Sequence, residues 1–332
     1  MMPQSVTVIM PIRNESAFIA RSLGAVLAQE YPSELMEILV ADGMSDDDTR
    51  QIIAAMPGAE RVCVFDNPRR IQSAGLNEAI RQAKGDIIVR VDGHTIIAPD
   101  YVRQCVDALR ATGADNVGGA MDPVGLTDTG KAIAAAGKSP FAVPTAFHVS
   151  ATPQFTDTVY MGAWPRAVFE KVGFFREDFI ANEDYEHNVR IRAAGGKIFF
   201  SPQIRSVYYG RQTLLALAHQ YYRYGKSKVG TLREHPSSIR PRQLVAPLFV
   251  AGLIAGVPLS WLSSLLRALW WAGLLAYGVA NLLFSWKAAV RLEPQIAWRV
   301  PLAFFTVHLA WGIGFWVELL KIDRIRTAVM SD

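Results

Sequence analysis

Short apolar runs alternate with stretches of helical period through the first hundred residues. Val6 to Met10 is β-branched and apolar and is stopped by Pro11. After Asn14-Glu15-Ser16 the apolar positions fall at Ile19, Leu23, Val26 and Leu27, which is the spacing of one helix face. Glu37 to Val40 predicts a second buried strand, and the polar run from Asp42 to Thr49 leads into a helix containing Ile52 and Ile53. Val62 to Phe65 predicts a third strand, Ser73 to Ala83 a third helix, Asp86 to Val91 a fourth strand and Asp100 to Ala111 another helix. This rhythm predicts an α/β fold, an open and mostly parallel sheet with flanking helices, whose ligands sit at the carboxyl ends of the strands.

From Val117 to Trp164 the pattern loosens into Gly, Pro and Ala-rich text, with one strand expected at Val117 to Met121 and a mobile acceptor-side loop. Order returns with helices at Arg166 to Val172 and at Glu183 to Ala194, the latter ended by Gly195-Gly196, and with a short strand at Ile198 to Phe200. Beyond Arg242 charges nearly vanish. Leu244 to Leu262, Ala268 to Trp286 and Val300 to Val317 each predict a membrane span, the first reaching about 28 Å at about 1.5 Å per residue. The expected division is a catalytic domain over 1–242, including an interfacial helix near 212–232, and a membrane anchor of about three transmembrane helices over 243–332. Basic clusters at Arg240 and Arg242, at Lys287 to Arg299 and at Lys321 to Arg326 cannot all lie on one side of three spans, so charge alone leaves the topology open.

The net charge of +4 is modest, and no long basic run is interleaved with aromatic residues, which argues against nucleic acid as a partner and suits a membrane surface. Cys63 and Cys105 stand in separate segments with neither disulfide nor zinc spacing, so reduced thiols in cytosol are expected. The short apolar start, followed at once by Arg13 and Glu15, reads as a strand and not as a signal peptide.

Three carboxylate-bearing loops fall at strand ends or helix starts: Asp42 with Asp47, then Asp92, then Glu183-Asp184. In an open α/β sheet such loops converge, and a site that holds a diphosphate through a divalent cation while removing a proton needs this kind of oxygen set. Taken singly, each has a plainer explanation. Asp42, Ser45 and Asp47 suit helix capping, Glu183-Asp184 suits a helix dipole, and His94 suits a solvated turn. The order of the set favours a site.

The same residues resemble the family 2 glycosyltransferases of GT-A fold, and within them the membrane-anchored transferases of succinoglycan and exopolysaccharide type. The resemblance runs from about 6 to 230. Pro11-Ile12-Arg13-Asn14-Glu15 matches the family's opening nucleotide-contacting loop, and Asp42-x-x-Ser45-x-Asp47-x-Thr49 its second loop, whose first Asp contacts the base. Asn67, Arg70 and Ser73 to Asn77 occupy the place of a further donor loop. Asp92-Gly93-His94 stands where relatives carry Asp-x-Asp, with His94 replacing the second Asp. Asn182-Glu183-Asp184 resembles the motif that supplies the general base, and Gln220-Tyr221-Tyr222-Arg223-Tyr224 resembles Gln-x-x-Arg-Trp.

The resemblance implies an inverting hexosyltransferase with Asp184 as base. Asp92 and His94 would hold Mn²⁺ or Mg²⁺, an imidazole ligand leaning toward the former. Pro11, Arg13, Asn14, Glu15, Asp42, Asp47, Arg70, Asp92 and Arg223 would bind a nucleotide sugar, by default a UDP-sugar. Glu183, Gln220, Tyr224 and Trp164 would meet a lipid-linked or growing glycan acceptor. The expected location is the cell inner membrane, multi-pass, with the catalytic domain cytoplasmic and in contact with membrane lipid. A polyprenyl-phosphate transferase and a non-catalytic membrane subunit are the alternatives. A dinucleotide oxidoreductase is set aside because no G-x-G-x-x-G follows the first strand.

Overall fold

The computed structural model describes residues 4–142, 145–179 and 181–329. The chain forms two compact units. One comprises Met1–Asp122 and Thr145–Tyr209, the other Pro123–Pro144 and Gly210–Asp332.

The first unit opens with β1 (Val6–Ile12), α1 (Ile19–Leu27), β2 (Met36–Asp42), α2 (Thr49–Ala54), β3 (Val62–Asp66), α3 (Gln72–Gln82), β4 (Ile87–Arg90), β5 (Thr95–Ile97), α4 (Tyr101–Thr112) and β6 (Asn116–Val124). The chain continues through α5 (Asp128–Gly137) of the second unit. It returns with α6 (Ala146–Val149), β7 (Gln154–Phe155), β8 (Tyr160–Pro165), α7 (Ala167–Val172), α8 (Glu183–Ala193) and β9 (Ile198–Tyr209). The strands form one sheet in the order β3-β2-β1-β4-β8-β6-β9-β5, with β7 on β9.

The expected parallel half is present: β1 pairs in parallel with β2 and β4, and β2 with β3. The other half is antiparallel, β4 with β8, β6 with β8 and β5 with β9, so the sheet is mixed. The region without a clear sequence pattern supplies β6 and β8 of this half, and β9 runs far beyond the expected Ile198 to Phe200.

Strand parity builds two cores. Val6, Val8, Met10, Ile87, Val89 and Val91 pack on one face with α1, α2 and α4. Ile9, Leu39, Ile88 and Trp164 pack on the other with Leu76 and Ile80 of α3, Phe169 of α7 and Ile191 of α8. Because side chains alternate along a strand, Arg90 shares the face of Ile88, the face that α8 covers. This parity sets up the site.

The second unit adds to α5 the helices α9 (Leu214–Glu234), α10 (Val245–Leu259), α11 (Ser264–Ala289), α12 (Pro294–Ala297) and α13 (Val300–Val329). Its core joins Ala132, Ile133 and Ala136 of α5, Leu217 of α9, Ile296 of α12, and Val300, Phe304 and Val307 of α13. Small residues let α9 and α13 approach closely. A Cβ on Gly225 would lie 2.1 Å from the Trp311 carbonyl oxygen, and one on Gly314 2.1 Å from that of Tyr222. Glu318 of α13 lies 3.5 Å from Lys226 and 3.6 Å from Arg233 of α9.

Two helical stretches, Ser264–Ala289 and Pro294–Lys321, are long and apolar enough to cross a membrane. Three spans were expected. Among the described residues the remaining candidate, α10, has 15 residues and reaches about 22 Å, short of a hydrocarbon layer of about 30 Å. The face of α11 is apolar and open, with Leu275 69% exposed.

Candidate active site

The register of the parallel strands brings their carboxyl ends level. Ile12 stands opposite Asp42, Asp42 opposite Asp66, and Ile9 opposite Arg90. The loops that leave these strands therefore start side by side.

The first two loops are laced together. Asn14, at φ 55°, receives a hydrogen bond on Oδ1 from the Asp46 amide at 3.0 Å and donates through Nδ2 to Asp46 Oδ1 at 2.7 Å. Its own amide donates to Ser45 Oγ at 2.9 Å. Asp47 accepts from the Ser16 amide at 3.1 Å, from the Thr49 amide at 3.0 Å and from Thr49 Oγ1 at 2.5 Å. Desolvation opposes ionisation of Asp47, but these hydrogen bonds from Thr49 and Ser16 outweigh it and pull the carboxyl down to about 2. Arg13 and Arg70 are exposed at the rim, and Pro11 is buried within β1.

Asp42, expected at a nucleotide base, anchors the loop after β2. It is fully buried and accepts from Ser45 Oγ at 2.5 Å, from the Ser45 amide and from Arg50 Nε at 2.5 Å. Arg50 also reaches Asp66. In this conformation both oxygens of Asp42 shape the loop, the role that capping alone suggested.

Arg90, which the sequence reading passed over, organises the carboxylates. The side chain is 5% exposed. Its Nε donates to Asp92 Oδ1 at 2.7 Å and its Nη1 to Glu183 Oε1 at 3.1 Å. Burial works against its charge, but Asp92 and Glu183 outweigh that and raise its pKa. Gln72 Nε2 also donates to Asp92 Oδ1, at 3.3 Å. The available signal was a lone cation inside the apolar run Ile87 to Val91, since a buried arginine needs anionic partners.

Glu183 was expected to meet the acceptor. It is instead turned inward to Arg90, and its side chain is 6% exposed. Burial pushes its carboxyl up to about 7 against the pull of Arg90, with Asp184 adding charge of the same sign. Asp184 is only partly covered and accepts from the Tyr185 amide at 2.7 Å. Its carboxyl too is raised by burial, again opposed by Arg90. A less solvated carboxylate is a stronger base, and Asp184 is the more open of the two.

Trp164 is corrected outright. Its ring is 1% exposed and packs edge-on against Phe169, Phe175 and His187, which leaves no face for a sugar. Gln220, Arg223 and Tyr224 belong to α9 in the second unit, where Gln220 Nε2 donates to Tyr224 Oη at 2.8 Å along the helix.

The residues present fit a divalent cation. Asp92 keeps lone pairs beyond those given to Arg90 and Gln72, since an ionised carboxylate offers about four acceptor positions. His94 stands two positions after Asp92, and its Nδ1 lies 2.8 Å from Glu15 Oε1. A carboxylate oxygen and an imidazole nitrogen are both donor types for divalent metal ions.

Comparison with known proteins bears on the family and the fold. The family model described as Glycosyl transferase family 2 matches residues 7–172. Succinoglycan biosynthesis protein ExoA of Rhizobium meliloti (strain 1021) is 32% identical over 96% of this chain and 96% of its own. The dolichyl N-acetyl-alpha-D-glucosaminyl phosphate 3-beta-D-2,3-diacetamido-2,3-dideoxy-beta-D-glucuronosyltransferase of Methanococcus voltae is 24% identical over 95% of this chain and 97% of its own. In fold, the chain is similar to the mannosyltransferase PcManGT from Pyrobaculum calidifontis, solved with GDP-Man and Mn²⁺. The TM-score is 0.63 at 20% identity, covering 92% of this chain and 86% of that one. With the Asp92 and Glu183 carboxylates held on Arg90, the family model matched over half of the chain and a relative matched along nearly its full length, the chain belongs to glycosyl transferase family 2.

Proposed function

We propose that this protein is an inverting hexosyltransferase that moves a sugar from a nucleotide donor, by default a UDP-hexose, to a lipid-linked or growing glycan in exopolysaccharide or related glycan assembly. The observation that carries the reading is the cluster on Arg90. Its buried guanidinium holds Asp92 and Glu183, and the next residue, Asp184, is the less buried of the two helix-start carboxylates. The near full-length similarity to a succinoglycan protein supports the pathway class, and the archaeal relative, named for a lipid-linked sugar acceptor, supports a lipid-borne acceptor.

In the proposed step Asp184 accepts the proton of the acceptor hydroxyl while that oxygen bonds to the anomeric carbon. The bond from that carbon to the diphosphate oxygen breaks with inversion, and the nucleoside diphosphate leaves with the bonding electron pair. Asp92 and His94 would hold Mn²⁺ or Mg²⁺, which when bound supplies positive charge beside the leaving diphosphate. Arg90 fixes Asp92 in place, and the laced loops of Asn14 and Asp47 shape the nucleotide side. Motif order alone supports Arg223 as a donor contact and Gln220 and Tyr224 as acceptor contacts. The open apolar face of α11 and the length of two helices support attachment to a membrane, with an inner-membrane, multi-pass, cytosol-facing arrangement as the working topology.

The test is transfer from radiolabelled UDP- and GDP-hexoses by membranes containing the protein, with native lipid extract and Mn²⁺, Mg²⁺ or chelator. Label should enter a lipid-extractable product with Mn²⁺ and vanish with chelator. Nucleotide binding without turnover of any donor would instead support the non-catalytic membrane subunit.

A further inference from the structure

Asn77 and Phe175 are 98 positions apart in the chain and pair as two strands would. The Phe175 amide donates to Asn77 Oδ1 at 2.9 Å, and Asn77 Nδ2 donates to the Phe175 carbonyl at 2.8 Å. A side-chain amide carries the donor and acceptor of a peptide unit, and here both are spent on the backbone of one residue. Nδ2 also donates to Glu177 Oε1 at 3.0 Å. Asn77 lies within α3 among Leu76, Ala79 and Ile80 and is 2% exposed. A polar side chain at such a depth is kept by its partners. We propose that Asn77 is a positioning residue: by gripping the segment 173–177 it sets where α8 begins, and so where the Asp184 carboxylate stands relative to Asp92. This inference rests on the reading of Asp184 as the base.

The same segment is held a second time, by α8. His187, fully buried and one turn past Asp184, donates from Nε2 to the Gly173 carbonyl at 3.1 Å, and its ring lies 4.7 Å from that of Phe175. Arg190 Nη2 donates to the Phe174 carbonyl at 2.7 Å, and its Nη1 donates to that of Val172. The segment therefore links α3 to α8. At its first residue α3 has another hold on the site, because Gln72 Nε2 donates to Asp92 Oδ1 at 3.3 Å. One helix thus reaches Asp92 through Gln72 and the start of α8 through Asn77. Arg90 ties the same two places by charge, and Asn77 adds a neutral tie that fixes distance and direction. The hydrogen bonds of Asn14, Asp42 and Asp47 that shape the first two loops run to other partners, so loss of the Asn77 tie should act on transfer more than on donor binding.

The experiment measures sugar transfer by the full-length protein in membranes, with sites counted by the stoichiometry of UDP or GDP binding. Asn77→Ala is made alone and together with Asp184→Asn. Per nucleotide-binding site, Asn77→Ala should lower kcat about 10- to 100-fold, the cost of a misplaced reacting group, at a donor KM near that of wild type. Asn77→Asp, which keeps an oxygen for the Phe175 amide but sets a carboxylate against the Phe175 carbonyl and Glu177, should transfer no faster than Asn77→Ala. In the Asp184→Asn background the same Asn77→Ala change should lower the remaining rate far less, since misplacing a base costs nothing once the base is gone. Arg190→Lys, which loosens the hold of α8 on the same segment, should show the same split between kcat and KM and serves as the test if Asn77→Ala does not fold. Wild-type kcat per site in these variants overturns the proposal, and so does an equal loss with and without Asp184, the mark of a merely structural role. Wild-type transfer by Asp184→Asn alone overturns the base reading and this proposal with it, a result told apart from the others because it needs no change at Asn77.

Discussion

Arg90 and Glu183 lie 93 positions apart and meet in the interior, with Nη1 donating to Oε1 at 3.1 Å. The same guanidinium holds Asp92, so one cation ties the end of β4 to the start of α8. Replacing it by methionine leaves two buried carboxyls without their counter-charge. Removing one partner of a buried ion pair costs about 3–5 kcal/mol. We expect Arg90→Met to be destabilised by about that much in denaturant unfolding, and Arg90→Lys, which cannot serve both carboxylates with a planar fork, to fall between. Wild-type stability in Arg90→Met would contradict the central role given to this residue.

The Glu183 carboxyl, raised by burial to about 7 from an ordinary value of 4.5, makes stability depend on pH in a defined direction. The folded state binds this proton more tightly than the unfolded state, so the group favours folding when protonated. That contribution is fully present below about pH 4.5 and is lost as pH rises through about 7. Melting temperatures across this window should fall less with rising pH in Glu183→Gln than in wild type. Parallel curves would refute the assignment.

Asp47 carries the opposite sign. Held down to about 2 from 3.8, it contributes stability present above about pH 3.8 and lost as pH falls through about 2. It binds the loop after β1 to the start of α2, through Ser16 and Thr49. Asp47→Ala should cost about 0.5–2 kcal/mol, the range for a lost capping carboxylate, and should weaken nucleotide binding through the loosened loop. Calorimetric titration of UDP and GDP checks the second part, and unchanged affinity would separate the loop from the donor.

Much of this arrangement is legible in the sequence because short-range rules decide it. The β-branched runs Val6 to Met10 and Ile87 to Val91 can only be buried strands, and parallel strands deliver Asp42, Asp92 and their loops to one edge. What the chain hides is set by partners far away in it. The contacts of Arg90 with Glu183 and of Glu15 with His94 have no local signature. Trp164 was placed among the acceptor contacts because an aromatic residue reads the same whether it faces a ligand or a core. Its place opposite Ile88 in the β4–β8 pairing decided the matter. The stretch after Val117 showed β6 only in part, at Val117 to Met121, and hid β8 because a glycine and a proline dilute its period-2 pattern; it hid the membership of α5 in the second unit because its small residues serve contacts with α13.

In the second unit the α9–α13 contact depends on residues without side chains. A leucine at Gly225 would overlap the Trp311 carbonyl. Gly225→Leu should destabilise this unit, and limited proteolysis of the purified protein should show earlier cleavage within 210–329. Equal protease resistance would contradict the packing.

The open face of α11 predicts a separate effect. Leu275 lies near the middle of a 26-residue helix and is 69% exposed. An aspartate there carries an insertion penalty of about 2.5–3.5 kcal/mol at a helix centre in lipid. Leu275→Asp should shift the protein toward the soluble or aggregated fraction in membrane flotation, whereas Leu275→Ala should float with wild type. Equal flotation of both variants would argue against α11 as a lipid-facing helix.

The most direct measurement is the rate of sugar transfer by Asp184→Asn, made alongside donor binding by the same preparation. If Asp184 is the base, transfer should fall about 10²- to 10⁴-fold while nucleotide-sugar affinity stays near that of wild type. Transfer at the wild-type rate with donor binding intact would contradict the account.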